Sequence, residues 1–244
     1  IFVIDAAGNV SPASTAKVVV DKTPPDSQNT VLATDQIVNG GPIDIGSAGE
    51  IGGEIWLLPA NTVSTDIDPE SLTETDTATK AAGATIVVPV IEGDYKIFVI
   101  DAAGNVSNPS AAKVEVDTTP PDSQDTVLAS DQIVNQGPIE IGSSGDFDNQ
   151  VWLVPANTPK TATFSPTTLG YSLAQDGTST SIGLSIDGGL PVEGEYKIYV
   201  IDLAGNVSDL SSAKVVVDTT PPTSQNTVLA TDQIVNGGPI DIGS

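Results

Sequence analysis

Carboxylates and carboxamides are the reactive inventory of this chain. Asp101 and Asn105 stand four residues apart in Asp101-Ala102-Ala103-Gly104-Asn105-Val106-Ser107. The pattern returns as Asp202-Leu203-Ala204-Gly205-Asn206-Val207-Ser208 and opens the chain as Asp5-Ala6-Ala7-Gly8-Asn9-Val10-Ser11. Side chains of this type suit two kinds of chemistry. A hard cation such as calcium takes about six to eight oxygen ligands, which carboxylates and amide carbonyls supply. The same residues also make a tight turn: Asp and Asn bond their own backbone, and the Gly between them takes a positive φ. The two uses are compatible.

Other chemistry is closed by composition. The 244 residues include neither His nor Cys. That removes the commonest general base, every Ser-His-Asp triad, thiolate zinc sites and disulfides. The 32 Asp and Glu residues keep a two-carboxylate glycosidase arithmetically open. Nearly every candidate acid recurs in each copy of the repeat, however, and an active site is rarely duplicated at a fixed period. The chain is expected not to be an enzyme. Its formal charge is −24, and all 8 basic residues are Lys. Nucleic acid and anionic membrane need a positive face, so neither is expected as a partner. No apolar run approaches the roughly 18 residues of a membrane span, and no signal peptide is visible. Ile1 begins inside one strand motif and Ser244 follows the start of another, so a window within a longer polypeptide is the expectation.

The elements that must position the acids repeat with them. Asp5, Asp101 and Asp202 are spaced by 96 and 101 positions, as are Pro24, Pro120 and Pro221. Trp56 and Trp152 are also 96 apart, so the five extra residues of the later copy fall after Trp152. The Thr/Ser/Gly-rich stretch 158–189 is the expected place. Ser27–Ser47 and Ser224–Ser244 are identical in sequence. The chain therefore divides into the last strands of one repeat (1–21), two complete repeats (22–117 and 118–218) and the first strands of another (219–244).

Within a repeat, short β-type runs alternate with Gly, Pro, Asn and Asp punctuation, and no helical period appears. The expected strands of the first complete repeat are Thr30–Val38, Gly41–Ile45, Glu54–Leu58, one weak edge within Asp68–Lys80, Ala84–Val88, Tyr95–Ile100 and Ala112–Val116. That is an all-β fold: tandem two-sheet Greek-key β-sandwiches of about seven strands, which the resemblance given below implies are immunoglobulin-like. Trp56 is expected between the sheets. Gly93-Asp94-Tyr95 and Gly194-Glu195-Tyr196 read as tyrosine corners, with the phenol bonded back to nearby backbone.

Two motifs carry a family resemblance. Gly-x-Tyr is followed by Asp-x-Ala-Gly-Asn-x-Ser, and Val-Asp-Thr-Thr-Pro-Pro ends each repeat at 116–121 and 217–222. At a period near one hundred, the whole chain resembles the bacterial immunoglobulin-like repeats of giant surface adhesins. The resemblance implies extender repeats that carry a terminal adhesive domain away from the cell, in a secreted or cell-surface protein, with adjacent repeats as the main partners. In such a topology the loop between the second and third strands, the loop between the sixth and seventh, and the entering linker lie at one end of the domain. Around the first complete repeat these points hold Asp21 and Asp26, Glu50, and Asp101 with Asn105. Around the second they hold Asp117 and Asp122, Asp146 and Asp148, and Asp202 with Asn206. The implied cofactor is calcium, bracing each linker against the domain that follows. Two other readings compete. One is an array binding glycans or proteins multivalently, with Phe147 as an aromatic to test. The other is a filament subunit assembled by strand addition.

Overall fold

The computed structural model describes residues 1–135, 138–142, 150–160, 181–183, 193–224, 228, 233, 236–240 and 242. They form two compact units, one of Ile1–Thr119 with Leu203–Asn206 and one of Pro120–Asp202 with Val207–Ser244.

In the first unit a single helical turn, α1 (Gln28–Val31), precedes seven strands. These are β1 (Gln36–Val38), β2 (Pro42–Asp44), β3 (Glu54–Pro59), β4 (Thr79–Lys80), β5 (Thr85–Val87), β6 (Gly93–Ile100) and β7 (Val114–Val116). One sheet has the order β1-β7-β6-β3-β4 and the other is the pair β2-β5. The chain passes between layers at β1–β2, β2–β3, β4–β5 and β5–β6. Only β1 and β7 pair in parallel; the remaining pairs are antiparallel. The fold is an immunoglobulin-like sandwich. The second unit repeats it with α2 (Gln124–Val127), β8 (Gln132–Val134), β9 (Pro138–Glu140), β10 (Gln150–Pro155), β11 (Ser181–Gly183), β12 (Gly194–Ile201) and β13 (Val215–Val217). Its sheets run β10-β12-β13-β8 and β11-β9.

The central strands are buried on both faces. From β3 and β6, Ile55, Leu57, Ile97 and Val99 point between the sheets against Ile43, Ile86 and Val114. Their alternates Trp56, Leu58, Phe98 and Ile100 form a second cluster on the outer face, closed by Ala78, Ile67 and Leu72 from the chain before β4. Period-two alternation sends neighbours to opposite faces, and each fully buried large side chain contributes roughly 1.5–3 kcal/mol.

Trp56 is therefore not between the sheets, as the sequence suggested, but behind one of them. The reason is its indole N–H. Trp56 Nε1 donates to Glu54 Oε2 at 2.9 Å, and Lys80 Nζ lies 5.8 Å from the ring centroid. Tyr95 aside, the inter-sheet core is lined by aliphatic side chains and offers a buried donor no carboxylate. The second unit has the same arrangement, with Trp152 Nε1 donating to Gln150 Oε1 at 3.1 Å.

A second correction concerns the first expected strand. Thr30 and Val31 of the Thr30–Val38 run belong to the helical turn Gln28–Val31, and the strand is only Gln36–Val38. The turn lets Val31 and the following Leu32 plug one end of the core at 1% exposure each. Thr30 Oγ1 donates to Ser27 O at 2.7 Å, a local bond that satisfies the hydroxyl within the turn.

The tyrosine corner is present: Tyr95 is buried and its hydroxyl donates to Ile91 O at 2.7 Å. Beyond Ile100 two buried serines replace ladder bonds that β7 is too short to make. Ser107 N donates to Val99 O and Ser107 Oγ accepts from Val99 N, both at 2.9 Å. Ser110 does the same for Ile97, at 2.9 and 3.0 Å. Ser208 and Ser211 repeat both exchanges with Val200 and Ile198. Residues 1–20 carry the same hairpin motif, with an Ile4–Val10 bridge, but Phe2, Val3 and Val18–Val20 are exposed where Phe98, Val99, Val114 and Val116 are buried.

Candidate functional site

The repeated acidic turn is built by its own side chains. Asp101 Oδ1 accepts from Ala103 N and Asn105 N at 2.8 Å, and Oδ2 accepts from Asn105 Nδ2 at 2.8 Å. Gly104 takes φ 87° so that its N–H returns to Asp101 O at 3.1 Å. Asp5 and Asn9 repeat the set at 2.8–2.9 Å. Desolvation pushes the Asp101 carboxyl up, but the bonds from Asn105, Ala103 and Gly104 together outweigh it and hold the group below its ordinary value.

The turn also reaches a linker. Asn105 Nδ2 donates to Asp21 O at 3.3 Å, and Asn206 Nδ2 donates to Asp117 O at 2.9 Å. Both bonds lie within the first unit. The linker shapes itself in turn: Asp21, Asp117 and Asp218 each accept through Oδ1 from the amide two residues on, at 2.9–3.0 Å.

A contact that sequence reading missed holds the linker's other side. Glu92, just before β6, accepts through one oxygen from Thr118 N at 2.8 Å and from the Thr118 and Thr119 hydroxyls at 2.7 Å. Glu193 grips Thr219 and Thr220 in the same way at 2.6–3.0 Å. The Thr hydroxyls are the leading cause that lowers both glutamate pKa values. The available signal was the joint recurrence of Glu-Gly-(Asp/Glu)-Tyr and Asp-Thr-Thr-Pro-Pro.

Of the first set of expected calcium ligands, Asp21, Asp101 and Asn105 are brought together. Asp26 and Glu50 are exposed and share no hydrogen bond with them. Three amide N–H groups already occupy the Asp101 carboxylate, and the Asn105 amide presents nitrogen to the linker. Among the described residues no group of three or more Asp or Glu side chains is close enough to hold a metal ion. The first set thus does not fit a calcium cage. Of the second set, Asp122 is exposed, Asp117 and Asp202 belong to different units, and Asp146 and Asp148, like Phe147, lie outside the described residues. Most of the 158–189 stretch also lies outside them.

One hollow bears on the binding-array reading. Leu58, Ile67 and Leu72 floor an open space of about 390 Å³ rimmed by Asp66, Asp68 and Ser/Thr hydroxyls. No aromatic ring lines it, so a sugar face would find no stacking platform there.

Residues 147–219 match the family of bacterial Ig-like domains. No curated protein matches the chain significantly. Among solved structures, the Bacteroides ovatus mixed-linkage glucan protein SGBP-B, solved with a heptasaccharide, is 20% identical with TM-score 0.28 over 89% of this chain and 51% of its own. The titin I-band fragment I67–I69 is 16% identical with TM-score 0.28, over 75% of this chain and 62% of its own. The BSP domain of a biofilm-associated protein is 16% identical with TM-score 0.22, over 82% of this chain and 30% of its own. The chain thus spans about half the length of SGBP-B and under two thirds of the titin fragment. At these scores the likenesses say nothing of function. Among the described residues no helix is long and apolar enough to cross a membrane.

Proposed function

We propose that this bacterial Ig-like array is a stalk: extender repeats of a secreted or cell-surface adhesin that hold a binding region away from its anchor. The observation that carries the reading is the investment of each unit in its linker. Glu92 and Glu193 each commit a carboxylate to a Thr-Thr pair preceding Pro-Pro. The two prolines fix their own φ and restrict the residues before them. A spacer needs set linkers, and stability and reach then add repeat by repeat.

A calcium ion at the second linker belongs to the same proposal. Its charge would supply rigidity, not catalysis. The test is thermal unfolding of this chain in EDTA and in millimolar calcium, with magnesium as control. A ligand at about 100 times its dissociation constant stabilises by roughly 2.7 kcal/mol. A calcium-specific rise that disappears in Asp117→Ala and Asp202→Ala supports the ion. Equal melting in all three buffers leaves a stalk set by hydrogen bonds and proline alone.

A further inference from the structure

We propose that Asn39 is a self-modifying site: its side-chain amide is lost by attack of the Gly40 backbone nitrogen, leaving aspartate and isoaspartate in the β1–β2 turn. Four observations meet at this position. Asn39 is exposed, and neither its side chain nor Gly40 N makes a hydrogen bond. Gly40 and Gly41 take φ 133° and 80°, in the region that favours glycine. A Cβ built on Gly40 meets no atom within 4 Å, so the space around the attacking nitrogen is open. The chain also carries its own control. Asn39-Gly40-Gly41-Pro42 recurs as Asn236-Gly237-Gly238-Pro239, but the middle repeat has Asn135-Gln136-Gly137-Pro138.

The chemistry needs no partner beyond water. Gly40 N, having lost its proton to solvent, attacks Cγ of Asn39. A C–N bond forms, the bond from Cγ to the amide nitrogen breaks, and that nitrogen leaves as ammonia after taking up a proton. Water then opens the succinimide ring. Addition at Cγ restores a normal backbone as aspartate. Addition at the main-chain carbonyl carbon routes the backbone through Cβ and Cγ as isoaspartate. Glycine is the residue that permits the first step, because no Cβ blocks the approach and its backbone reaches angles that other residues avoid. Gln136 puts a side chain on the attacking residue and slows the same reaction at Asn135. Each event adds one negative charge near neutral pH, and the isoaspartate form lengthens the turn that carries the chain from one sheet to the other. Two of the three copies of this Asn-x-Gly-Pro sequence thus record the age of the molecule, and the middle one does not.

The experiment is to hold the intact chain at mildly alkaline pH and 37 °C. Sampled peptides are then mapped by mass spectrometry, and isoaspartate is counted by an isoaspartyl methyltransferase assay. The expected result is time-dependent conversion at Asn39 and Asn236, with isoaspartate present, while Asn135 keeps its amide. Gly40→Gln should lower conversion at Asn39 alone and leave Asn236 unchanged. Asn39 keeping its amide as long as Asn135 does would overturn the proposal, as would conversion at Asn39 undiminished by Gly40→Gln.

Discussion

Replacing Ser110 by alanine should destabilise the first unit far more than its small size suggests. Ser110 is 1% exposed and holds two backbone groups: Oγ accepts from Ile97 N at 3.0 Å and donates to Ala112 O at 2.6 Å. Ile97 is fully buried at the centre of β6, so its N–H cannot turn to water once Oγ is gone. A buried donor left without an acceptor costs about 1–3 kcal/mol. The change in packing is slight, because serine and alanine differ by one atom. A loss of about 2 kcal/mol corresponds to roughly 8–16 °C in Tm for a domain of this size. Each unit holds a single Trp, so in a Trp152→Phe background the fluorescence of Trp56 follows the first unit alone. Denaturant and thermal unfolding are compared with Ser71→Ala, which alters an exposed hydroxyl and should stay within about 0.5 kcal/mol. If Ser110→Ala unfolds with Ser71→Ala, the serine is not substituting for a ladder bond, and the account of how β6 is completed fails.

Other outcomes follow from the same contacts. Tyr95→Phe keeps the ring and removes the bond to Ile91 O; Ile91 is exposed enough for water to replace the donor, so the loss should be about 1 kcal/mol, read as a fall in Tm. Glu92 has a folded-state pKa below its ordinary 4.5, so its grip on Thr118 and Thr119 is complete above that value and is lost as pH falls below it. The Thr118 amide, which donates to Glu92, should shift in an acid titration by NMR. Glu92→Gln, which keeps an acceptor oxygen but cannot titrate, should abolish that shift while leaving the neutral-pH positions near those of the parent.

Much of the sandwich is legible in the sequence because its strands are short, patterned and separated by turn residues. Glu54–Leu58, Ala84–Val88 and Tyr95–Ile100 fall within a residue or two of the strands β3, β5 and β6. Legibility fails where local pattern and tertiary context part. Ile55 to Leu58 are all buried, so alternation says that neighbours face opposite ways but not which face meets the other sheet. One helical turn at Gln28–Val31 is too short to show a 3.6-residue period, and its β-branched residues read as strand. The Asp101–Asn105 turn was readable because its bonds span four residues. Glu92 and Thr118 are 26 apart, and only comparison of the repeats could have joined them.

The parallel pairing of β1 with β7 sets how a unit carries load. These strands stand near the two ends of the sandwich's chain and run in the same direction, in register from Gln36–Val114 to Val38–Val116. Gln36 N to Lys113 O and Asp117 N to Val38 O bracket the pair at 3.0 and 2.9 Å. When the chain is pulled from both ends, one strand is drawn along the other and the bonds between them are stressed in shear. They must break nearly together, whereas an antiparallel hairpin pulled from its open end parts one bond at a time. A short edge, three residues against three, is the one that meets the force first.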